Sequence, residues 1–375
     1  MRTRLTFLDL LRSWAALVMI EVHVVNAFLL ADYREQGWFT CVNYVNGLVA
    51  PAFLFVAGFA FAFTAERPLA TAEEKRAKLF RQLRRIGLIL AAGYVLHLPG
   101  FGWTKVSQAT QTEWLKFFQA DILHCIAVGL LILVAAREYL GGARGVLRMA
   151  AVVGSLSVLV APWTWTYDAQ AMLPVAIAAY VNGTPFSQFP LFPWLAFMMA
   201  GAVVAGTYPR DGSIDQVKTW VRRVGLWGLA VFVVAAIARW PDWAIGLPGV
   251  NIRVNPWFVA ERVGVLLVLV WSAAQWSFRH AELSPGLRDV SRETLFVYFV
   301  HLMVIYGDWF DGHSLAFLYK QHFGIIQTVA AVLALMAVMT AASWAWQRSK
   351  EKSDVRSRYA FYFGVAVCIG IFFAR

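Results

Sequence analysis

Polar and apolar positions in this chain of 375 residues alternate in long blocks rather than in short periods. Largely uncharged runs recur from end to end, near 6–30, 38–63, 86–99, 120–136, 146–161, 190–207, 224–238, 257–278, 293–310, 323–346 and 359–374. A helix rises about 1.5 Å per residue, so about 20 apolar residues cross a hydrocarbon layer roughly 30 Å thick. The pattern predicts an all-α, polytopic integral membrane protein of about eleven spans. It forms a single domain over 1–375, because the longest polar connections, near 64–85, 100–119 and 162–189, leave no room for a separate soluble one.

The polar positions inside the windows are the informative ones. The first window holds Asp9, Arg12, Glu21, His23 and Asn26. Eleven residues at about 100° each end roughly 20° past three full turns, so Arg12 and His23 face one way about 16 Å apart. Asp9 and Asn26 fall in the same sector of about 100°, while Glu21 points nearly opposite. Ionisable groups at membrane depth are costly, and such a stripe marks a functional site by default.

Composition then excludes alternatives. With 60% hydrophobic and 15% charged residues and a mean hydropathy of +0.59, the chain lies outside the soluble range. The net charge of +11 is scattered over short connections, so topology explains it better than nucleic acid does. With the N-terminus inside, 24 of the 33 Lys and Arg fall on the cytoplasmic side and 7 outside, with Arg12 and Arg262 within windows. Loops rich and poor in cations alternate, as the positive-inside rule requires, and this predicts N-in, C-out. Cys41, Cys125 and Cys368 imply no disulfide framework. The first window is too long and too charged for a signal-peptide core and is expected to remain in the mature protein. The setting fits a bacterial inner membrane.

Further constellations follow from spacing. Asp121 and His124 are three apart at the outer end of the fourth window, so carboxylate and imidazole touch across one turn, either to orient a base or to cap the helix. Tyr298, His301 and Asp308 share a face of the ninth, and Glu261-Arg262 lies in the eighth. With Asn43 and Asn46 they are candidate cavity-lining residues, or ion-pair glue between helices. The 64–85 connection carries Lys78, Arg81, Arg84 and Arg85 among Leu79, Phe80 and Leu83. It reads as an amphipathic surface helix that anchors to anionic lipid or attracts a polyphosphate. Trp163, Trp165 and Tyr167 in 162–189 read as interface anchors, with carbohydrate stacking as the sharper alternative, and Asn182-Gly-Thr is a weak glycosylation pattern. No Gly-rich phosphate loop or metal-ligand spacing is present, so no metal is expected, and His280, His313 and His322 lie in loops.

Arg12 and His23 match the Arg, ten residues, His spacing of the first helix in membrane acyltransferases of the acyltransferase-3 type. More finely, the chain resembles the catalytic domain of the heparan-α-glucosaminide N-acetyltransferase family. The resemblance rests on Leu8-Asp9-Leu-Leu-Arg12, on Ala50-Pro51 through Gly58, and on Phe189-Pro-Leu-Phe-Pro193-Trp194 to Gly201. It extends to Asp121-Ile-Leu-His124 with Ile126-Ala127, and to Ser291 through His301, and covers roughly 1–310. It implies transfer of an acetyl or other acyl group from cytosolic acyl-CoA to an amino or hydroxyl group, often on a glycan. His23 is then the general base or transient acyl carrier, aided by Asn26, Asp121 and His124. Arg12, Asp9 and the cations Lys78, Arg81, Arg84 and Arg85 lie on the donor side. The human member has Asn at the level of His23 and uses a histidine farther along, but no histidine occupies 27–42 here. Expected partners are acyl-CoA, a glycan or envelope acceptor, membrane lipid and a second copy of the chain. The rival function is a non-enzymatic transporter or flippase of a lipid-linked glycan.

Overall fold

The computed structural model describes residues 5–65, 71–184, 186–239, 252–280, 282–308, 312–352 and 354–375. Among these, every regular element is helical, and one isolated bridge joins Leu29 to Phe323. Arg2, Arg4 and Arg67, which the topology argument assigned to the inner face, lie outside the described residues.

Each apolar window overlaps helix among the described residues, with 309 and 310 of the ninth lying outside them. Among the described residues six stretches are long and apolar enough to cross a membrane by length and composition: Gly37–Ala65, Ile122–Tyr139, Gly142–Thr164, Ile214–Ala238, Pro256–Arg279 and Ile325–Lys352. Leu191–Gly206, Thr294–Tyr306 and Tyr362–Ala374 are shorter apolar helices. The 6–30 window forms Thr6–Phe28, 23 residues and so about 34 Å long.

The expected surface helix in 64–85 is not a separate element. Thr71 caps a helix by accepting from the Glu74 amide, and that helix then runs without a break from Ala72 to Leu96. Basic and apolar turns are comparable helix formers and no proline divides them, so the charged half carries the short third window on its end.

The chain divides into two compact units, 1–49 with 98–117 and 280–375, and 50–97 with 118–279. In the first, Thr6–Phe28 packs against Pro285–Arg292, Thr294–Tyr306 and Ile325–Lys352. Ala15 and Ala16 are fully buried on it, small enough for close approach. The Ser13 hydroxyl donates to the Leu287 carbonyl at 2.7 Å. At the far end the Ala27 and Phe28 carbonyls accept from the amides of Gln321 and Phe323. Arg34 reaches back to donate to the carbonyls of Val25 at 2.7 Å and Asn26 at 2.9 Å. Carbonyls left over at a helix C-terminus need such donors, and a cation suits the dipole there.

In the second unit, Leu191–Gly206 packs on Gly142–Thr164, Ala72–Leu96 on Ile122–Tyr139, and Ile214–Ala238 on Pro256–Arg279. Glycines set these crossings. A Cβ on Gly58 would lie 1.8 Å from the Met198 carbonyl oxygen, and one on Gly201 would lie 2.0 Å from that of Phe55. The two motif-ending glycines noted in the sequence therefore meet each other's helices. Phe55, Phe59, Phe197, Met198 and Met199 fill the core beside them. On Ile214–Ala238, Leu226, Trp227, Val234 and Ile237 remain exposed, as befits a face turned to lipid.

Candidate active site

Two clusters of polar side chains sit within the two units. In the first unit, the stripe on Thr6–Phe28 separates into two ends. Near the start, Arg12 lies 3.7 Å from Asp9, one turn earlier on the same helix. Eleven residues on, the His23 ring packs against His301, with centroids 5.2 Å apart, and edge-on to Tyr306 at 5.9 Å. The Tyr306 hydroxyl donates to the His23 carbonyl at 3.4 Å. His301 is fully buried, and its Nδ1 lies 2.6 Å from the Val297 carbonyl one turn back. A carbonyl only accepts, so Nδ1 carries the proton and Nε2 keeps the lone pair. That Nε2 is buried with no hydrogen-bond partner in the structure.

Tyr298 lies edge-on to His301, with ring centroids 6.0 Å apart. Asp308 does not share that face. Thr294–Tyr306 ends two residues before it, and Asp308 instead accepts from Lys105 at 2.7 Å. The reason is local: the backbone turns extended at Gly307, which cannot hold the last helical turn as well as other residues. Glu21 points away from the stripe, as expected, and accepts from Asn46 at 3.4 Å. The Asn26 and Asn43 side chains are exposed, and both residues accept hydrogen bonds through their main-chain carbonyls.

The second cluster centres on His124, which is fully buried. Asp121 caps Ile122–Tyr139, its Oδ1 accepting from the Leu123 amide at 2.8 Å and the His124 amide at 3.1 Å. The same oxygen lies 2.7 Å from His124 Nδ1. The Asp121 amide is also near that nitrogen, at 3.3 Å, but one nitrogen cannot donate and accept along both lines. The shorter, charge-assisted contact decides, so Nδ1 carries the proton and Nε2 the lone pair. His124 Nε2 is buried with no hydrogen-bond partner in the structure. Tyr94 packs edge-on to the ring at 4.4 Å, and the hydroxyls of Tyr94 and Tyr180 lie 3.1 Å apart.

His97 lies 4.0 Å from Asp121 through Nδ1, an atom that also lies 2.8 Å from the Gly93 carbonyl. The ligand-capable atoms of His97, Asp121 and His124 fall within 4.8 Å of one another, which is near enough to surround a metal ion. With Nδ1 of each ring acting as a donor, Nε2 carries the lone pair, which can accept a proton or ligate a metal.

Glu261 and Arg262 are buried, and Glu261 pairs with Arg239 and, at 3.8 Å, with Arg262. The Arg239–Glu261 pair ties the end of Ile214–Ala238 to Pro256–Arg279, while the Arg262 guanidinium lies 3.7 Å over the Phe258 ring of its own helix. Lys78 donates to the Thr64 carbonyl at 3.2 Å, while Arg81, Arg84 and Arg85 are exposed. Asn182 is buried and donates to the carbonyls of Thr164 and Tyr167, which ties the loop together and leaves no open amide for a glycan. His280, His313 and His322 are exposed, as expected.

Sequence reasoning missed His97, Tyr94, Tyr180, Tyr306 and Arg34. Twenty-four positions separate His97 from Asp121, a spacing that carries no local signal. Tyr306, five residues past His301 and polar at the end of an apolar run, could have been found.

No curated protein matches the chain significantly. Residues 4–237, more than half the chain, match the family model described as "Heparan-alpha-glucosaminide N-acetyltransferase, catalytic". That span includes Arg12, His23, Asp121 and His124 with the glycine crossings. The chain therefore belongs to the family of the heparan-alpha-glucosaminide N-acetyltransferase catalytic domain, a family of membrane acetyltransferases.

Proposed function

We propose that the protein moves an acetyl or other acyl group from cytosolic acyl-CoA, acetyl-CoA in the first instance, to an amino or hydroxyl group of a glycan or other envelope acceptor. It does so in a bacterial inner membrane, with about eleven spans, N-in and C-out. The observation that carries this reading is the packing of His23 against buried His301 in a chain of this family. An imidazole is suited to accept a proton near neutral pH or to carry an acyl group transiently, and His23 serves in one of these ways. His301 holds its neighbour's ring in place and offers a lone pair toward a donor.

Arg12 and Asp9 mark the donor side of the same helix, and the exposed Arg81, Arg84 and Arg85 attract the phosphates of coenzyme A. Topology supports the direction, since the cation-rich connections fall on the side from which acyl-CoA comes.

The test is product formation by the full chain in lipid nanodiscs, given labelled acetyl-CoA and a panel of amino- and hydroxyl-bearing glycans. Wild type should acetylate an acceptor or slowly hydrolyse the thioester. His23→Ala should lower that rate by about 10²- to 10⁴-fold, the range for removing a general base. Inert wild type that binds lipid-linked glycan tightly would sink the enzyme and favour a carrier.

A further inference from the structure

We infer that His124 is a second catalytic imidazole, the base that takes the proton from the acceptor's amine or hydroxyl, with Asp121 as its positioning residue. The inference rests on the acyl-transfer reading above.

The geometry carries it. Asp121 Oδ1 receives two backbone amides and His124 Nδ1, at 2.7 to 3.1 Å, so the carboxylate is held fixed and the imidazole has one tautomer. A base needs that tautomer, with the lone pair on the nitrogen facing away from its carboxylate. His124 Nε2 has it, in a fully buried ring and without a partner in the structure. An unsatisfied buried acceptor is unfavourable, and a substrate N–H or O–H would relieve it.

Gly93 lets the ring sit in this place, because a Cβ there would lie 2.7 Å from Cε1, 2.9 Å from Nδ1 and 3.2 Å from Nε2. His97 places a second imidazole 4.0 Å from the same carboxylate, and its ring is partly exposed. Its hydrogen bond to the Gly93 carbonyl fixes the backbone that faces His124.

Helix capping alone does not account for the pair. A capping box needs only a side chain that accepts from the Asp121 amide, which glutamine does and a protonated Nδ1 does not, and it has no use for a lone pair on the far side of a ring. In the step proposed, the acceptor's N–H or O–H proton passes to Nε2 as its lone pair attacks the acyl carbonyl. The carbonyl's bond to the coenzyme A sulfur then breaks, and the leaving thiolate takes the proton back from Nε2.

The experiment uses the full chain in nanodiscs with labelled acetyl-CoA and the glycan panel. His124→Gln keeps the cap and removes the base. It should melt like wild type, keep the KM for acetyl-CoA, and lose about 10²- to 10⁴-fold in kcat for acceptor acetylation. Asp121→Asn should also lower kcat and shift its pH profile. His124→Ala should regain rate when free imidazole is added, a rescue that a purely structural cap would not show. Wild-type kcat in His124→Gln would overturn the inference while leaving the acetyltransferase reading intact. So would a loss in His124→Ala that imidazole does not restore, or stoichiometric zinc in the wild type that His124→Gln no longer holds. Inert wild type would instead overturn the reading on which the inference rests.

Discussion

At Gly93 a hydrogen in place of a side chain decides where the buried imidazole sits. The ring of His124 occupies the space a Cβ would take, so the two positions are coupled although 31 residues apart. Gly93→Ala should therefore lower stability by roughly 1–3 kcal/mol through overpacking, and acceptor acetylation with it. Thermal unfolding in detergent and the labelled-acetyl assay check this. Unchanged melting together with an unchanged rate would show that the ring moves aside freely. Part of this cluster was legible in sequence, since an Asp and a His three apart at a helix end can touch across one turn. His97 and Gly93 were not, because only the packing of Ala72–Leu96 on Ile122–Tyr139 brings them there. Arg12 and His23 do lie on one unbroken helix, but the partners of His23, His301 and Tyr306, come from a distant segment.

Among the helices, sequence blocks predicted position well and boundaries less well. The helix beginning at Ala72 shows why: hydropathy changes sharply at Arg85, yet helical hydrogen bonding takes no notice of that change. Asp308 shows the opposite error, where an apolar run continues past the point at which the backbone leaves the helix. The glycine crossings give a test at this scale. In lipid there is little hydrophobic drive between helices, so close backbone approach supplies the packing. Gly201→Ala places a methyl against a backbone carbonyl that has no rotamer to change. It should destabilise the protein by roughly 1–3 kcal/mol or more, and Gly364→Ala, where nothing lies within 4 Å, should not. Urea or thermal unfolding of the two variants side by side decides it, and equal stabilities would refute the crossing.

For the whole molecule, charge asymmetry makes a prediction that the helices alone do not. With Cys41, Cys125 and Cys368 replaced by alanine, Ser107→Cys should react with a membrane-impermeant thiol reagent in intact cells. Arg144→Cys should react only after permeabilisation. Both positions are exposed, so reversal of the pattern would invert the topology and with it the donor side.

Hydropathy by itself determined that the chain is helical and belongs in a membrane, because the length of an apolar block is a property of consecutive residues. The residues of the opening helix likewise fixed which polar groups share its face, since helical geometry is local. Tertiary structure alone decided that His23 meets His301 and that Gly93 makes room for His124. It also turned two sequence motifs into a single helix crossing at Gly58 and Gly201. Those relations join segments far apart along the chain, and no spacing within one sequence encodes which helix packs against which.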